Sequence, residues 1–394
     1  MINEATLRFA HEHRDADLAR LALSRPPEGV DLRAALLQID GRRRMLRKVP
    51  HWGDQMLYPL RISVEQCSST HTATYKAAML QRLMPTRHSM ADITGGMGVD
   101  FSYLAPLFRE SHYVERMPEL CEASAHNFPL LHLDGYTIHH STAEAYLATT
   151  PTLDLLFADP ARRATDGRRM VGLADCEPDL TTLQPTAWPH CRALMLKLSP
   201  MLDVKMALRQ VRHVRELHII ASGGECKEII VYAEKGYEGE PEIVCTDLRD
   251  EFRFTYSAEE AAPLLIAPTP EAYLYEPHAA LMKAGAYKLT ATLYGTRKLH
   301  PNTHLYTSTT LVNGFPGRTF RIIGTCPAAR KDLWHMLGSN PKANLTVRNF
   351  PTTTATLAKK LKLRDGGHTY LFATTISTGQ HLIIVCEKVA EAEV

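Results

Sequence analysis

The sequence predicts an α/β fold: a parallel sheet wound with crossover helices over residues 86–275, preceded by a helical region over 1–85 and followed by a basic α+β domain over 276–394. Three observations carry this expectation. Apolar residues recur at helical spacing in the first 85 residues. From Met90, short apolar runs alternate with helical stretches. After Pro277, short strands surround only two helical stretches.

The elements follow in chain order. Ala16, Leu18, Leu21 and Leu23 lie near helical spacing until Ser24-Arg25-Pro26-Pro27 breaks the pattern. Asp31 caps a second helix that runs through Leu36 and Leu37 into Arg42, Arg43, Arg44, Arg47 and Lys48, and Pro50 stops it. Those five bases form either a solvated face or a phosphate patch. A third helix, 70–83, follows Glu65-Gln66-Cys67-Ser68-Ser69. Strands are expected over 90–93, 111–114, 136–139, 153–158, 193–198, 216–221 and 228–233, with helices over 117–127 and 143–147. The apolar runs near Val231 and Phe252 suit an antiparallel edge. Crossover-connected parallel strands place ligands at their carboxyl ends. In the last third, strands are expected over 289–294, 305–311, 318–323, 344–347, 370–375 and 381–386, and helices over 328–336 and 354–363.

Composition narrows the function classes. Hydrophobic residues make up 45% of the 394 and charged residues 22%, proportions that belong to a globular chain and not a disordered one. No apolar run nears the ~20 residues a bilayer crossing needs, and the first residues hold no apolar signal core; a soluble, cytoplasmic protein is expected. Eight cysteines without a CxxC pair argue against a disulfide scaffold or a zinc knuckle. Residues 276–394 carry 15 Lys and Arg against 6 Asp and Glu, whereas 1–275 carry 30 against 37. A basic C-terminal third behind an acidic body points to nucleic acid as a partner, the alternative being that it neutralises the body itself.

The most informative stretch is Ala91-Asp92-Ile93-Thr94-Gly95-Gly96-Met97-Gly98-Val99-Asp100, between an expected strand and an expected helix. Its glycines allow a sharp turn and close approach of a ligand to free amides at a helix start. Glu115 ends the next strand, where a carboxylate suits ribose hydroxyls. A dinucleotide fingerprint read from Gly96 puts Phe101 where a small residue is needed. An adenosylmethionine site, with an acid at the strand end and glycines under the methionine portion, fits Asp92, Gly96 and Gly98 better. Alone, the loop also matches an ordinary tight turn; Glu115 and the following motif in register argue against that. That motif is Asp154-Leu155-Leu156-Phe157-Ala158-Asp159-Pro160-Ala161-Arg162-Arg163, which sets Asp159 at the carboxyl edge of the fourth strand.

On these residues the stretch 90–200 resembles a class I, Rossmann-like S-adenosylmethionine-dependent methyltransferase. The whole chain resembles a bacterial family of such enzymes that carries a C-terminal THUMP-like domain. Further stretches carry the closer likeness: Glu65-Gln66-Cys67-Ser68-Ser69, Asp175-Cys176-Glu177-Pro178-Asp179, Leu196-Lys197-Leu198-Ser199-Pro200, Gly224-Glu225-Cys226-Lys227-Glu228 and Val347-Arg348-Asn349-Phe350-Pro351. The resemblance implies a ferredoxin-like/THUMP-like α+β C-terminal domain and S-adenosyl-L-methionine as cofactor. By the same resemblance Asp92, Thr94, Gly95, Gly96, Met97 and Gly98 would hold its amino-acid end, Glu115 its ribose, and Arg116 and Met117 would flank the adenine. Thr142 and Ala143 stand where the class often has an acid touching the adenine amine, and Thr94 replaces the usual first glycine. Asp159 and Pro160 would lie where substrate meets cofactor.

Methyl transfer to nitrogen needs in-line placement of the nucleophile and acceptance of a proton. Asp159 is the candidate for holding an amine or ring nitrogen by its hydrogen. Base methylases acting on flipped amines usually carry an aromatic residue two places after the proline; here Arg162 stands there. Arg162 and Arg163 would contact a phosphate or stack on a base, or else form an exposed ion pair. Carbon-5 pyrimidine chemistry needs a nucleophilic cysteine, but Ser199 occupies the corresponding place, and Cys176 and Cys191 read as inert thiols. His139 and His140 point to opposite faces of a strand, His11 and His13 are poorly spaced, and the other histidines stand isolated, so no metal site is expected.

In the C-terminal part, residues 279–386 hold 14 basic and 2 acidic residues, with clusters at Arg297-Lys298, at Arg330-Lys331, and at Lys359, Lys360, Lys362 and Arg364. That density suits phosphate contact with RNA, tRNA or rRNA by analogy with THUMP relatives. Tyr287, Tyr294, Phe315, Phe320, Trp334, Phe350, Tyr370 and Phe372 are interleaved as stacking or core residues. The reading is an RNA-directed methyltransferase acting on a base nitrogen. The alternatives are a non-catalytic RNA-binding protein with a vestigial cofactor fold and a small-molecule methyltransferase.

Overall fold

The computed structural model describes residues 2–162, 172–338 and 341–390. The chain divides into two compact units, Met1–Leu217 with Glu228–Pro241, and His218–Lys227 with Glu242–Val394. The helical region and the parallel sheet share the first unit.

Five helices open that unit: Glu4–Glu12, Leu18–Ala22, Leu32–Lys48, Arg61–Gln66 and Thr70–Leu83. Asn3, Asp17, Asp31 and Ser69 cap four of them by accepting first-turn amides, which satisfies donors that a helix start leaves unpaired. The helix Leu32–Lys48 packs Met45, Val49 and the adjoining Trp52 against Met97, Val99 and Leu120 of the sheet domain. Of the five bases in its second half, Arg42, Arg43, Arg44 and Lys48 have structural partners. Arg42 pairs with Asp54, Arg43 donates to the Arg14 and Ala16 carbonyls, Arg44 meets Asp40 and Glu65, and Lys48 donates to the Val64, Glu65 and Cys67 carbonyls. A free phosphate patch is therefore not built from them.

The strands are β1 (Ser89–Asp92), β2 (Glu110–Glu115), β3 (Tyr136–His140), β4 (Leu153–Ala158), β5 (Cys191–Leu198), β6 (Val214–Ser222) and β7 (Glu225–Glu234). Within the first unit the order is β7-β5-β4-β1-β2-β3. Neighbours from β5 to β3 run parallel, and β7 lies antiparallel to β5. This order turns the ends of β1 and β4 into the crevice where ligands bind in open α/β sheets. β4 is buried along its whole length and β5 at all but one residue, as strands covered on both faces must be.

In the second unit, Glu242–Thr246 and Glu251–Phe254 pair antiparallel. A seven-stranded sheet follows in the order Arg297–His300, Thr303–Ser308, Tyr273–Pro277, Gly317–Pro327, His381–Lys388, Arg364–Thr375, Lys342–Arg348. Its last two strands are parallel. Leu333 of the helix Arg330–Leu337 and Leu357 and Leu361 of the helix Thr354–Leu361 cover Leu371, Ala373, Ile383 and Val385.

One expected strand is a helix. Residues Tyr287–Leu293 are helical because the buried Glu259 accepts the amides of Lys288 at 2.9 Å and Leu289 at 2.8 Å. A carboxylate from another helix thus supplies the cap that the local sequence lacks. Tyr273–Pro277, the strand between Thr303–Ser308 and Gly317–Pro327, and Arg297–His300 carry no strand expectation in the sequence reading.

Candidate functional site

The turn after β1 is built around two acids. Asp92, 2% exposed, accepts the Thr94 amide at 3.0 Å and the Thr94 hydroxyl at 3.3 Å on the same oxygen. Burial lifts its carboxyl to about 8, against the opposing hydrogen bonds of Thr94 and with Asp100 and Asp159 pushing the same way. The Thr94 hydroxyl also accepts the Asp159 amide at 2.6 Å, so it ties the ends of β1 and β4 together. Glu115 accepts the Gly96 amide on one oxygen and the Met117 amide on the other.

Each glycine has its own reason. At Gly95 a Cβ would stand 2.3 Å from the Tyr113 ring, and at Gly98, with φ +79°, 2.7 Å from the Phe128 ring. Gly96, with φ +58°, has open space: a Cβ there would meet only the Thr94 carbonyl at 3.5 Å. Met97 buries its side chain in the core beside Trp52 and Val99. Thr94 and Gly96 are the loop positions that keep exposure.

Beyond the loop lies a buried polar cluster that the sequence reading did not assemble. Asp159 stands just past β4, its side chain about one-third exposed, with Oδ2 2.6 Å from Lys197 Nζ of β5. Lys197 also reaches Asp100 Oδ2 at 3.4 Å. Asp100 opens the helix Val99–Leu104 and is held by Lys76 at 2.8 Å and the Ser68 hydroxyl at 2.8 Å. Lys76, wholly buried on the helix Thr70–Leu83, further binds Glu228 of β7 at 2.7 Å and donates to Ser68 at 2.8 Å. Although burial opposes it, the ammonium groups of Lys76 and Lys197 keep Asp100 below the usual carboxylate range. Burial also works against the Lys197 ammonium, but Asp159, Asp100 and Glu228 hold its pKa well above normal. Asp159 itself is raised by burial, with Lys197 opposing.

Ser68, Lys197 and Glu228 each lie in a stretch quoted above for the family likeness, and that was the available signal. Asp100 closes the quoted glycine stretch without a role of its own there, and Lys76 had no signal beyond being a charge beside apolar neighbours. Cys67 of the same turn is no nucleophile, because burial pushes its thiol up to about 11.

The other expected residues have their own contacts. Arg116 forms an ion pair with Glu177. The Thr142 hydroxyl caps the helix Ala143–Leu147 by accepting the Ala145 amide, and Ala143 is buried. Met117 packs its side chain on the Trp52 core. Pro160 is half-buried. The backbone of Ala161 and Arg162 pairs with Cys176 and Glu177; the Arg162 side chain and Arg163 lie outside the described residues. The histidines are not all isolated: His112 and His139 approach to 3.0 Å across β2 and β3, with Glu110 3.2 Å from His112. Among the described residues, no three His, Cys, Asp or Glu side chains are grouped to hold a metal ion, and no helix is long and apolar enough to cross a membrane.

The basic C-terminal residues fall into two sets. Lys298 is buried, Arg297 pairs with Glu271, and Arg318 and Arg348 both hold the buried Glu276. Arg330 lies over the Trp334 ring. Lys331, Lys342, Lys359, Lys360 and Lys362 are exposed. Phe315, Phe320 and Phe372 are core residues.

Residues 273–316 match a ferredoxin-like domain family and residues 317–388 a THUMP domain-like family. A crystal structure from Porphyromonas gingivalis W83, described as a "putative methyltransferase", is 33% identical with a TM-score of 0.86, over 99% of this chain and 100% of that one. A Listeria monocytogenes class I S-adenosylmethionine-dependent methyltransferase structure (also described as "putative") aligns at 9% identity and TM-score 0.37, over 63% of this chain and 95% of that one. A T. thermophilus 16S rRNA N2 G1207 methyltransferase aligns at 16% and 0.35, over 46% of each chain. No curated protein matches. The strand order, the glycine turn and the full-length likeness agree, and the chain belongs to the class I, Rossmann-like methyltransferase family that carries a THUMP-like C-terminal domain.

Proposed function

We propose that the protein is an S-adenosylmethionine-dependent methyltransferase acting on a base nitrogen of structured RNA. The observation that carries this reading is the convergence of Asp92, the Thr94–Gly98 turn, Glu115 and Asp159 at the carboxyl ends of β1, β2 and β4. The residues fit the cofactor. Asp92 is a buried carboxyl raised by its surroundings, which a cationic ammonium would return to its ionised form. Gly96 leaves open space beside its backbone. Glu115 keeps a lone pair on each oxygen for hydroxyl donors after accepting its two amides.

Asp92 and the turn would hold the methionine end and Glu115 the ribose. When bound, the cofactor would supply an activated methyl group to a nitrogen lone pair of the acceptor. The chain's part is to orient the acceptor and receive its proton, and Asp159 is the carboxylate placed for both. Arg162 would contact the substrate. The exposed lysines of residues 276–394 would bind phosphate, the segment 86–275 would carry the chemistry, and 1–85 would back its cofactor turn.

The test is methyl transfer from labelled S-adenosylmethionine to fractionated tRNA and rRNA, followed by nucleoside mass spectrometry. A single methylated base, lost with Asp159→Asn, is expected. Label appearing only in small molecules would overturn the RNA assignment, and absence of cofactor binding would leave a vestigial fold.

A further inference from the structure

The cluster behind Asp159 is larger than anchoring a turn requires. Side chains from five segments meet in it: Lys76 and Asp100 from two helices, Lys197 from β5, Glu228 from β7 and Asp159 after β4. Directly bonded to one another, two ammonium groups and three carboxylates carry a net charge of −1. Buried ion pairs are seldom the cheapest way to fill a core, because removing charges from water costs more than most pairs return. Their chemistry is therefore the better place to look for a reason.

We propose that Lys197 is a positioning residue: anchored from behind by Asp100, its ammonium holds the partly exposed Asp159 as an oriented, ionised carboxylate ready to take a proton from an amine. The inference rests on the methyltransferase reading above. The geometry is directional. Lys197 lies on an inner strand with its side chain 10% exposed, and its shortest bond, 2.6 Å, is to the one carboxylate of the cluster that keeps about one-third of its surface open. Asp100, Lys76 and Glu228 lie behind it, at 8%, 0% and 6% exposure.

Among the described residues, the charged groups around Asp159 act in both directions. Lys197 and Lys76 favour its ionised form and Asp100 opposes it, while burial opposes it most. Asp92 lies across the Thr94 bridge. Cys67 is a neutral thiol, and Lys48, near Lys197, uses its N–H groups on three helix-end carbonyls. Lys197 is thus the close cation that offsets burial. The proton balance is simple. The acceptor nitrogen loses one proton, Asp159 becomes a neutral acid, and Lys197 stays an ammonium throughout, so the cluster passes from net −1 to neutral and returns when the acid discharges to water.

The test uses the full chain, labelled with ¹³C at aspartate carboxyls, with the Asp159 signal assigned through Asp159→Asn and titrated by NMR without ligand. Lys197→Met should raise the Asp159 midpoint by at least about one unit, a tenfold change in proton affinity, and Lys197→Arg should restore most of it. A merely structural lysine would change the melting temperature and leave the midpoint in place; an unmoved midpoint overturns the proposal. Should Lys197→Met fail to fold, the wild-type titration alone decides: Asp159 protonated at pH 7 overturns the proposal, and ionised at pH 7 supports it. Calorimetry with S-adenosylmethionine on the same samples separates the two ideas. Normal binding with an unmoved midpoint removes the role of Lys197 alone, and a moved midpoint without binding removes the methyltransferase reading.

Discussion

Glu115 spans the glycine turn from β2, its two carboxylate oxygens accepting the amides of Gly96 and Met117, each at 2.8 Å. One side chain therefore fixes both the turn after β1 and the bend after β2, the two edges between which an adenosine would lie. Hydrogen bonds to a charged acceptor contribute roughly 1.5–3 kcal/mol each, and stranding a buried donor costs about 1–3 kcal/mol. Glu115→Ala should weaken S-adenosylmethionine binding about 10- to 100-fold while the protein stays folded. Titration calorimetry reads this directly, and an unchanged isotherm would show that the turn is organised without Glu115.

Gly96 and Gly98 share a left-handed backbone and differ in surroundings. An alanine at either position is strained by about 1–2 kcal/mol. Only at Gly98 does the new carbon also strike the Phe128 ring, at 2.7 Å, adding about 1–3 kcal/mol of overpacking. Gly98→Ala should therefore lower unfolding stability more than Gly96→Ala does. Gly96→Ala should instead be the more damaging to cofactor affinity, because its carbon projects into open space beside the turn. Urea unfolding paired with calorimetry on both variants checks the reversal; the same ranking in both measurements would refute it.

The parallel sheet was legible because its central strands, β4 and β5, are mostly apolar runs alternating with helical stretches, and β4 and the helices Thr70–Leu83 and Ala143–Leu147 match their expected bounds. The helix Tyr287–Leu293 was not legible: its cap, Glu259, lies 29 residues upstream of Lys288, beyond any local pattern. The acids at the strand ends could be singled out because turn chemistry is local. The cluster behind Asp159 could not, since Asp159 and Lys197 are 38 positions apart and Lys76 and Glu228 152, and they meet only through tertiary packing. Charge counting erred for the same reason at Lys298, Arg318 and Arg348, whose neighbours bury or neutralise them.

Asp92 gives the site a pH dependence of definite sign. Its folded carboxyl is raised to about 8 by burial, so the folded state holds a proton that the unfolded state releases near pH 4. Its contribution to stability is complete below that lower value and disappears as pH rises through about 8. Asp92→Asn should flatten the fall in stability between pH 5 and pH 8 and be the more stable protein at pH 8. Chemical unfolding at the two pH values measures this. In the wild type, binding a cationic ammonium beside Asp92 should release up to one proton at pH 7, seen as a dependence of the calorimetric enthalpy on the ionisation enthalpy of the buffer. Parallel pH profiles for the two proteins would mean that Asp92 is already ionised.

The exposed lysines of the THUMP-like segment make a separate prediction about RNA. Lys359 and Lys360 close the helix Thr354–Leu361, and Lys362 caps it with φ +55°, so Asn is the replacement that keeps that backbone. Each phosphate contact contributes about 0.7–0.9 to the slope of log affinity against log salt. The triple variant Lys359→Ala, Lys360→Ala, Lys362→Asn should therefore bind structured RNA more weakly at low salt and reduce the slope by about 2, with its melting temperature little changed. Arg318→Ala should behave oppositely: it leaves Glu276, 4% exposed, with Arg348 as its remaining guanidinium partner, so stability should fall while the salt slope stays near that of the wild type. Filter binding across a salt series on both variants decides the matter. A salt slope unchanged in the triple variant would move the RNA contact away from this helix end.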